Sequence, residues 1–134
     1  EKELGISAGT NQTIFGSDDA DAIEGGALID HLYGGESNDT LTGNGGNDYL
    51  EGGLGDDTYI INDGDGVDTI LDIDGLGSIL YKGEPLSGGL RVAENTWVSA
   101  DHLTTYTLSG DTLFINENIQ IQGFTKGELG IIVT

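Results

Sequence analysis

Aspartate recurs at positions 21, 30, 39, 48 and 57 of this 134-residue chain, every ninth residue without a slip. A lone carboxylate on a surface does little. Carboxylates repeated in phase set oxygen donors at matching points of successive turns, which is the donor set that a hard cation takes. The overall charge points the same way. Lys and Arg total 4 against 24 Asp and Glu, a net charge of −20, so nucleic acid and anionic membranes are repelled and a multivalent cation is attracted. The acids are concentrated: residues 1–75 hold 18 of them and one base, Lys2, whereas residues 76–134 hold 6 acids and three bases.

The elements that must position these carboxylates share their period. An apolar residue follows each Asp two places later, at Ile23, Leu32, Leu41, Leu50 and Tyr59, and Gly opens each unit at 16, 25, 34, 43 and 52. Units 34–42 (GGESNDTLT), 43–51 (GNGGNDYLE) and 52–60 (GGLGDDTYI) are close copies, while 16–24 and 25–33 are looser. The pattern frays outward. Unit 7–15 keeps Ile14 but has Gln12 in the Asp slot; after a two-residue insertion, 63–71 restores Asp68 and Ile70; and 72–80 keeps Ile79 but has Gly77 in the Asp slot. A three-residue stretch with one central apolar residue buries that residue alone, and the Gly-rich stretch before it turns the chain. Two units then make one coil with two short parallel strands, which places residues 18 apart above one another at roughly 4.8 Å. Asp21 stacks on Asp39, Asp30 on Asp48 and Asp39 on Asp57.

Such a coil lacks stability of its own. One buried Leu or Ile per nine residues does not offset the entropy of ordering them, and carboxylates about 5 Å apart repel by roughly 3 kcal/mol per pair at an effective dielectric of 20. A hard cation reverses the sign of that repulsion and engages turn carbonyls. Calcium suits a flexible, many-oxygen cage better than magnesium does. Zinc is disfavoured, since there is no Cys and His31 and His102 have no ligand spacing.

The in-phase units resemble the RTX nonapeptides, G-G-x-G-x-D-x-U-x, of bacterial proteins exported by type I secretion, a pattern known as a calcium-binding β-helix repeat. The resemblance covers about residues 7–74, with Leu28 and Ile29 replacing the usual small or polar residues in one loop. It implies an all-β fold, a calcium-bound parallel β-roll followed by a small antiparallel β cap, and a secreted, extracellular or cell-surface location. It also implies that each ion sits between units n and n+2. Applied to this chain, the ligands are Asp21, Asp30, Asp39, Asp48, Asp57 and Asp68, paired as 21/39, 30/48, 39/57 and 48/68, with carbonyls from Gly26, Gly34, Gly35, Gly43, Gly53 and Gly55. Three to four calcium ions are expected.

Other readings weigh less. A Gly-Asp-rich stretch without an in-phase apolar residue would be a disordered linker, which is the state expected here without calcium. Asp63-Gly-Asp65 and Asp72-Ile-Asp74-Gly resemble half an EF-hand loop, but neither has the Glu at position twelve. The sequons at Asn11 and Asn38 carry no weight in a bacterial protein. No Cys nucleophile, Ser elbow or phosphate loop is present, His31 falls beside an inward slot and points outward, and Asp101-His102 are mere sequence neighbours. The reading is non-enzymatic. The absence of Cys excludes a disulfide framework, no apolar run reaches membrane-span length, and the start, Glu-Lys-Glu-Leu, has the character of a fragment of a longer protein.

The boundary falls near Gly75, giving a repeat array over 7–74 and a β-rich cap over 75–134. Tyr106–Leu108 and Leu113–Ile115 flank Ser109-Gly-Asp-Thr112 as a hairpin, and Ile119–Gln122 alternates with period two. Further strands are expected at 78–82, 90–92, 96–98 and 129–133, with Trp97, Tyr106, Phe114, Ile119, Ile121 and Phe124 as the core. The last stretch also looks like the segment that follows such arrays in large RTX proteins. Its expected partner is the rest of a parent protein, with the chain itself monomeric. The alternative is an adhesin-type module whose C-terminal half binds a glycan, peptide or cell surface. Exposed aromatics would favour that alternative and buried ones the cap.

Overall fold

The computed structural model describes residues 2–5, 11–62 and 66–133. Asp63-Gly-Asp65 and the first residues of unit 7–15 lie outside the described residues. The chain is almost wholly β, in a six-stranded sheet and a nine-stranded sheet.

Successive strands of the repeats alternate between the two sheets. One sheet takes β1 (Lys2–Gly5), β3 (Asp21–Glu24), β5 (Thr40–Thr42), β7 (Asp57–Ile61) and β9 (Gly77–Tyr81); the other takes β2 (Thr13–Phe15), β4 (His31–Gly35), β6 (Tyr49–Gly53) and β8 (Asp68–Leu71). All neighbours among them pair in parallel, 19 residues apart for β1 and β3, 18 apart from β2 to the insertion and 20 apart across it, where Leu50 meets Ile70 and Tyr59 meets Ile79. The nonapeptide period thus becomes a coil of two units. On the outside the same spacing stacks Phe15 on Tyr33, with ring centroids 5.0 Å apart. His31 is exposed there, next to Tyr49.

The apolar slot forms two inward rows. Ile23, Leu41, Tyr59 and Ile79 line one sheet, and Leu32, Leu50 and Ile70 line the other, all fully buried. The second row does not stop at the last repeat. Ile70 pairs in register with Ile121 of β15 (Ile119–Ile121), Ile121 with Leu113 of β14 (Thr112–Ile115), and Leu113 with Leu108 of β13 (Thr105–Ser109). Strand β15 is parallel to β8 and antiparallel to β14, so the C-terminal meander β11 (Leu90–Ala93), β12 (Thr96–Val98), β13, β14 and β15 continues the repeat sheet. The N–H of Asp68 donates to Asn118 O at 2.8 Å, so its partner comes from the meander. On the other sheet, the two-residue β10 (Glu84–Pro85) ends the stack with a proline, which has no N–H to offer a further strand.

Two details of the C-terminal half differ from the sequence reading. Phe114 is only half-buried, and Leu113 and Ile115 hold the core positions of β14. The reason is register: Leu113 and Ile115 sit opposite Ile121 and Ile119, which continue the Ile70 row, so Phe114 faces the other side with Gln120. Residues 129–133 are not a strand. Leu129, Ile131 and Val133 are buried with the expected alternation, but Gly127, Leu129 and Gly130 have positive φ and Glu128–Gly130 form a 3₁₀ turn, leaving a single parallel bridge from Ile132 to Gly88.

Because Asp68 and Ile70 find partners in β15, removing residues 76–134 should shift calcium-induced folding to higher concentration or abolish it, while removing 1–15 should do little. Circular dichroism during a calcium titration measures both. A 1–75 fragment that folds at the same calcium concentration as the whole chain would overturn the capping role.

Candidate metal centre

Strand alternation sets where the carboxylates point. Each Asp lies two residues before its apolar partner and therefore faces the same side of the strand. Asp21, Asp30, Asp39, Asp48, Asp57 and Asp68 are at most 2% exposed. Between residues 3 and 81 the chain has no Lys or Arg, so none of these charges is balanced by a nearby base in sequence.

The structure brings together the pairs expected from the period, through main-chain contacts. The N–H of Asp21 donates to Asp39 Oδ1 at 2.8 Å, that of Asp30 to Asp48 Oδ1 at 2.8 Å, that of Asp39 to Asp57 Oδ1 at 2.9 Å and that of Asp48 to Asp68 Oδ1 at 3.0 Å. Asp30 Oδ1 also accepts the N–H of Gln12 at 2.7 Å, so the unit without an Asp is still bound from below. The second oxygen differs along the array. Asp21 Oδ2 takes the Ser17 hydroxyl at 3.1 Å and Asp30 Oδ2 the N–H of Gly26 at 2.7 Å, whereas Oδ2 of Asp39 and of Asp57 is buried with no hydrogen-bond donor. An unsatisfied buried carboxylate oxygen is costly unless a cation or proton meets it. This donor chemistry fits a hard cation.

The opening glycines serve the carboxylates. A Cβ at Gly34 would lie 2.5 Å from Asp39 Oδ2, and one at Gly16 2.6 Å from Asp21 Oδ2; Gly25, Gly43 and Gly52 stand in the same relation to Asp30, Asp48 and Asp57. Their role is space. Positive φ is needed one place later, at Gly35 and Gly53, where a Cβ at Gly53 would also strike Gly35 O. Of the carbonyls expected as ligands, those of Gly34 and Gly43 face the opening glycine of the unit 18 residues before, and Gly35 O accepts the N–H of Leu54 at 3.0 Å. Gly26 and Gly55 are fixed instead through their N–H groups, Gly26 to Asp30 and Gly55 to Asp74. Among the described residues no three His, Cys, Asp or Glu side chains form a ready metal group, so a cation here draws on main-chain oxygens as well.

A second ladder was not anticipated from the sequence. Asn11 Oδ1 accepts the N–H of Ile29, Asn38 Oδ1 that of Asp56 and Asn47 Oδ1 that of Val67, at 2.8 to 3.1 Å. The signal was present, because all three stand in the place just before the Asp slot. Asn11 and Asn38 are the sequon residues, used here to lock neighbouring coils. Tyr59 adds another contact: it accepts the N–H of Gly52 at 2.8 Å and donates to Asp72 Oδ2 at 2.6 Å. Asp101 accepts from the Ser99 hydroxyl and the Leu103 N–H, which makes it the organiser of a surface turn.

The electrostatics follow from burial. Burial pushes the Asp57 carboxyl up to about 7 against the pull of the Asp39 N–H, with the carboxylates of Asp39, Asp74 and Asp56 adding to the rise. Asp72 is likewise pushed up to about 7, by burial first and by Asp74 and Asp57 in addition. Asp39 is raised by burial, against the pull of the Asp21 N–H, with the Asp21 carboxylate adding to the rise. Burial also raises the Tyr59 phenol, aided by Asp72.

Comparison with known families gives a match in the same region. The family model for the RTX calcium-binding nonapeptide repeat, in four copies, matches residues 8–27 and 24–59. No curated protein matches the chain.

Two predictions follow from the ladder. Asp39 and Asp48 each contact a partner above and below, so Asp39→Ala or Asp48→Ala should raise the calcium midpoint severalfold, and more than Asp101→Ala or Asp111→Ala. Equal effects at all four would refute the register. The second concerns the cation-free chain. Asp57 and Asp72 titrate near 7 in the fold against an ordinary 3.8, so the fold favours their neutral form; that contribution is full below about 4 and lost as pH rises through about 7. In chelator, β content by circular dichroism should therefore grow as pH falls from 7.5 to 5. A spectrum constant over that range would contradict the burial of these carboxyls.

Proposed function

We propose, on the premise that residues 8–59 are RTX calcium-binding nonapeptide repeats, that this chain is a calcium-responsive folding module of a secreted protein. Its repeats bind calcium; the finer reading is that Asp21, Asp30, Asp39, Asp48, Asp57 and Asp68 hold three to four ions in the pairs 21/39, 30/48, 39/57 and 48/68. The observation that carries it is the buried, base-free ladder of carboxylates, in which Oδ2 of Asp39 and of Asp57 has no donor. A cation placed there turns mutual repulsion into attraction and links coil to coil.

The consequence for the cell follows from calcium levels. Extracellular modules bind calcium with affinities of roughly 0.1–1 mM, far weaker than cytosolic calcium would satisfy, so the chain stays unfolded inside the cell and folds once exported. Residues 75–134 act as the cap on which the last coils dock. The aromatics of this half support the cap over a ligand-binding module: Trp97, Tyr106 and Phe124 lie in its core. No described helix is long and apolar enough to cross a membrane.

The test is circular dichroism of the whole chain in chelator and then in millimolar calcium. The expected result is a largely disordered spectrum that becomes β-rich on calcium addition. A β-rich spectrum unchanged by calcium would sink the proposal.

A further inference from the structure

The outer face of the repeat sheet carries a group of rings for which the buried carboxylates have no use. Side chains next to the apolar slot face outward, so Phe15 of β2, Tyr33 of β4 and Glu51 of β6 stand in register on three neighbouring strands, with His31 and Tyr49 in register beside them. Phe15 and Tyr33 stack with ring centroids 5.0 Å apart and planes 12° from parallel. Tyr33 meets Tyr49 at 5.9 Å and Tyr49 meets His31 at 5.7 Å, both tilted. Phe15 is 69% exposed on the edge strand of its sheet. Single apolar residues on a surface need no explanation, but a contiguous set of rings marks an interaction surface.

The surroundings select the partner by charge. No Lys or Arg occurs between residues 3 and 81, so the repeats have no base of their own to lay over these rings. Where the chain does have bases, it uses them in that way: Lys82 Nζ stands 5.1 Å from the Tyr81 ring centroid and Lys126 Nζ 5.7 Å from that of Trp97. On the outer face the charged neighbours are acids. Glu51 stands within the group, its Oε1 accepting the Tyr49 hydroxyl at 2.8 Å. Exposed Asp18, Asp19 and Glu36 lie in the turns that leave the same end of β2 and β4, and those turns touch where the Ser37 hydroxyl donates to Asp18 O at 2.6 Å. An aromatic ring presents a negative face, which attracts a cation and does so more strongly beside carboxylates. A neutral sugar would gain from the rings and nothing from the charge.

We infer that the outer face formed by Phe15, Tyr33 and Tyr49, with Glu51, docks an arginine-rich segment of a protein partner. Arginine fits better than lysine, because a planar guanidinium both stacks on a ring and forks a carboxylate. Tyr33, Tyr49 and Glu51 offer that combination, and Phe15 offers an open ring with Asp18 and Asp19 in the turn that follows it. The rings belong to different units and meet only through the pairing of β2, β4 and β6, so the face exists only in the folded coil. In this it rests on the calcium-dependent folding proposed above: the partner is engaged once calcium has ordered the repeats.

The experiment is isothermal titration calorimetry of the whole chain in millimolar calcium at physiological salt, with circular dichroism recording the fold of each variant. The probes are a peptide of alternating arginine and serine, its lysine counterpart and a neutral glucan oligosaccharide. Wild type should bind the arginine peptide severalfold more tightly than the lysine peptide. Phe15→Ala and Tyr33→Ala should each weaken arginine binding by about two- to fivefold, the strength of a cation–π contact at an exposed site, and narrow the gap to lysine. Asp111→Asn, which removes an exposed carboxylate of the cap, should leave that gap unchanged. Equal affinity of wild type for the two peptides, or a Phe15→Ala variant with the full arginine preference, reduces the attraction to diffuse charge and overturns the docking face. Glucan binding that Phe15→Ala abolishes, without any arginine preference, overturns it in favour of a sugar platform. Should Tyr33→Ala fail to fold, Phe15→Ala on the exposed edge strand decides alone. Wild type that stays disordered in calcium overturns the function on which the coil rests, and the face with it.

Discussion

The constraint on which everything else depends is the burial of carboxylates in a segment without bases. Six aspartates of the repeats are almost fully enclosed, and between residues 3 and 81 there is no Lys or Arg to meet them. Water is excluded, so each charge needs hydrogen bonds, a proton or a cation. The main chain supplies part of this through N–H groups 18 or 20 residues earlier. It does not supply all of it. The donor-free oxygens of Asp39 and Asp57 and the raised titration of Asp57 are two expressions of the same deficit.

Much of the composition is a consequence of that deficit. Glycine opens each unit because the Asp five residues later fills the space a Cβ would occupy, and at Gly35 and Gly53 the second glycine is needed for its backbone angle. Ile or Leu fills the eighth place of most units and is fully buried there. Tyr59 is the exception, and its hydroxyl is satisfied by Gly52 and Asp72. Asparagine before the Asp slot gives each coil a further bond to the next. The repeat is thus a device for stacking, with little stability residing in any single unit.

A stack of this kind leaves open edges, and the C-terminal half covers one of them by continuing the sheet. The row Leu32, Leu50, Ile70 passes without interruption into Ile121 and Leu113. Beyond it lies a conventional core with Trp97, Tyr106 and Phe124, able to order residues that carry no ligand pattern. The change from parallel to antiparallel pairing occurs at β15, which offers a parallel edge to β8 and an antiparallel one to β14. The buried carboxylates and the conventional core therefore meet at the turn 72–76, where Asp72 is buried and Gly75 O accepts the N–H of Leu129.

The sequence determined the coil. A nine-residue period with one apolar slot fixes which residues stack, and the pairs Asp21/Asp39, Asp30/Asp48, Asp39/Asp57 and Asp48/Asp68 all meet as the spacing requires, even across the insertion. Repetition makes register a local property, since every unit sees a copy of itself above and below. Strand positions in the C-terminal half were also legible from alternation and turn residues. What only the tertiary structure decided was which side those strands present and what they dock on. Phe114 lost its core place to Leu113 and Ile115 because β14 inherits its facing from Ile70, more than forty residues earlier. Residues 129–133 keep the burial rhythm of a strand but not its backbone, because left-handed residues at 127, 129 and 130 bend the chain onto Gly75. The exchange of Asp72 and Gly77 is plain in the letters, yet its meaning depends on Asp72 meeting the Tyr59 hydroxyl in space. Those contacts join units that no longer repeat, and where repetition ends, neighbours are set by packing across the molecule and cannot be read from the period.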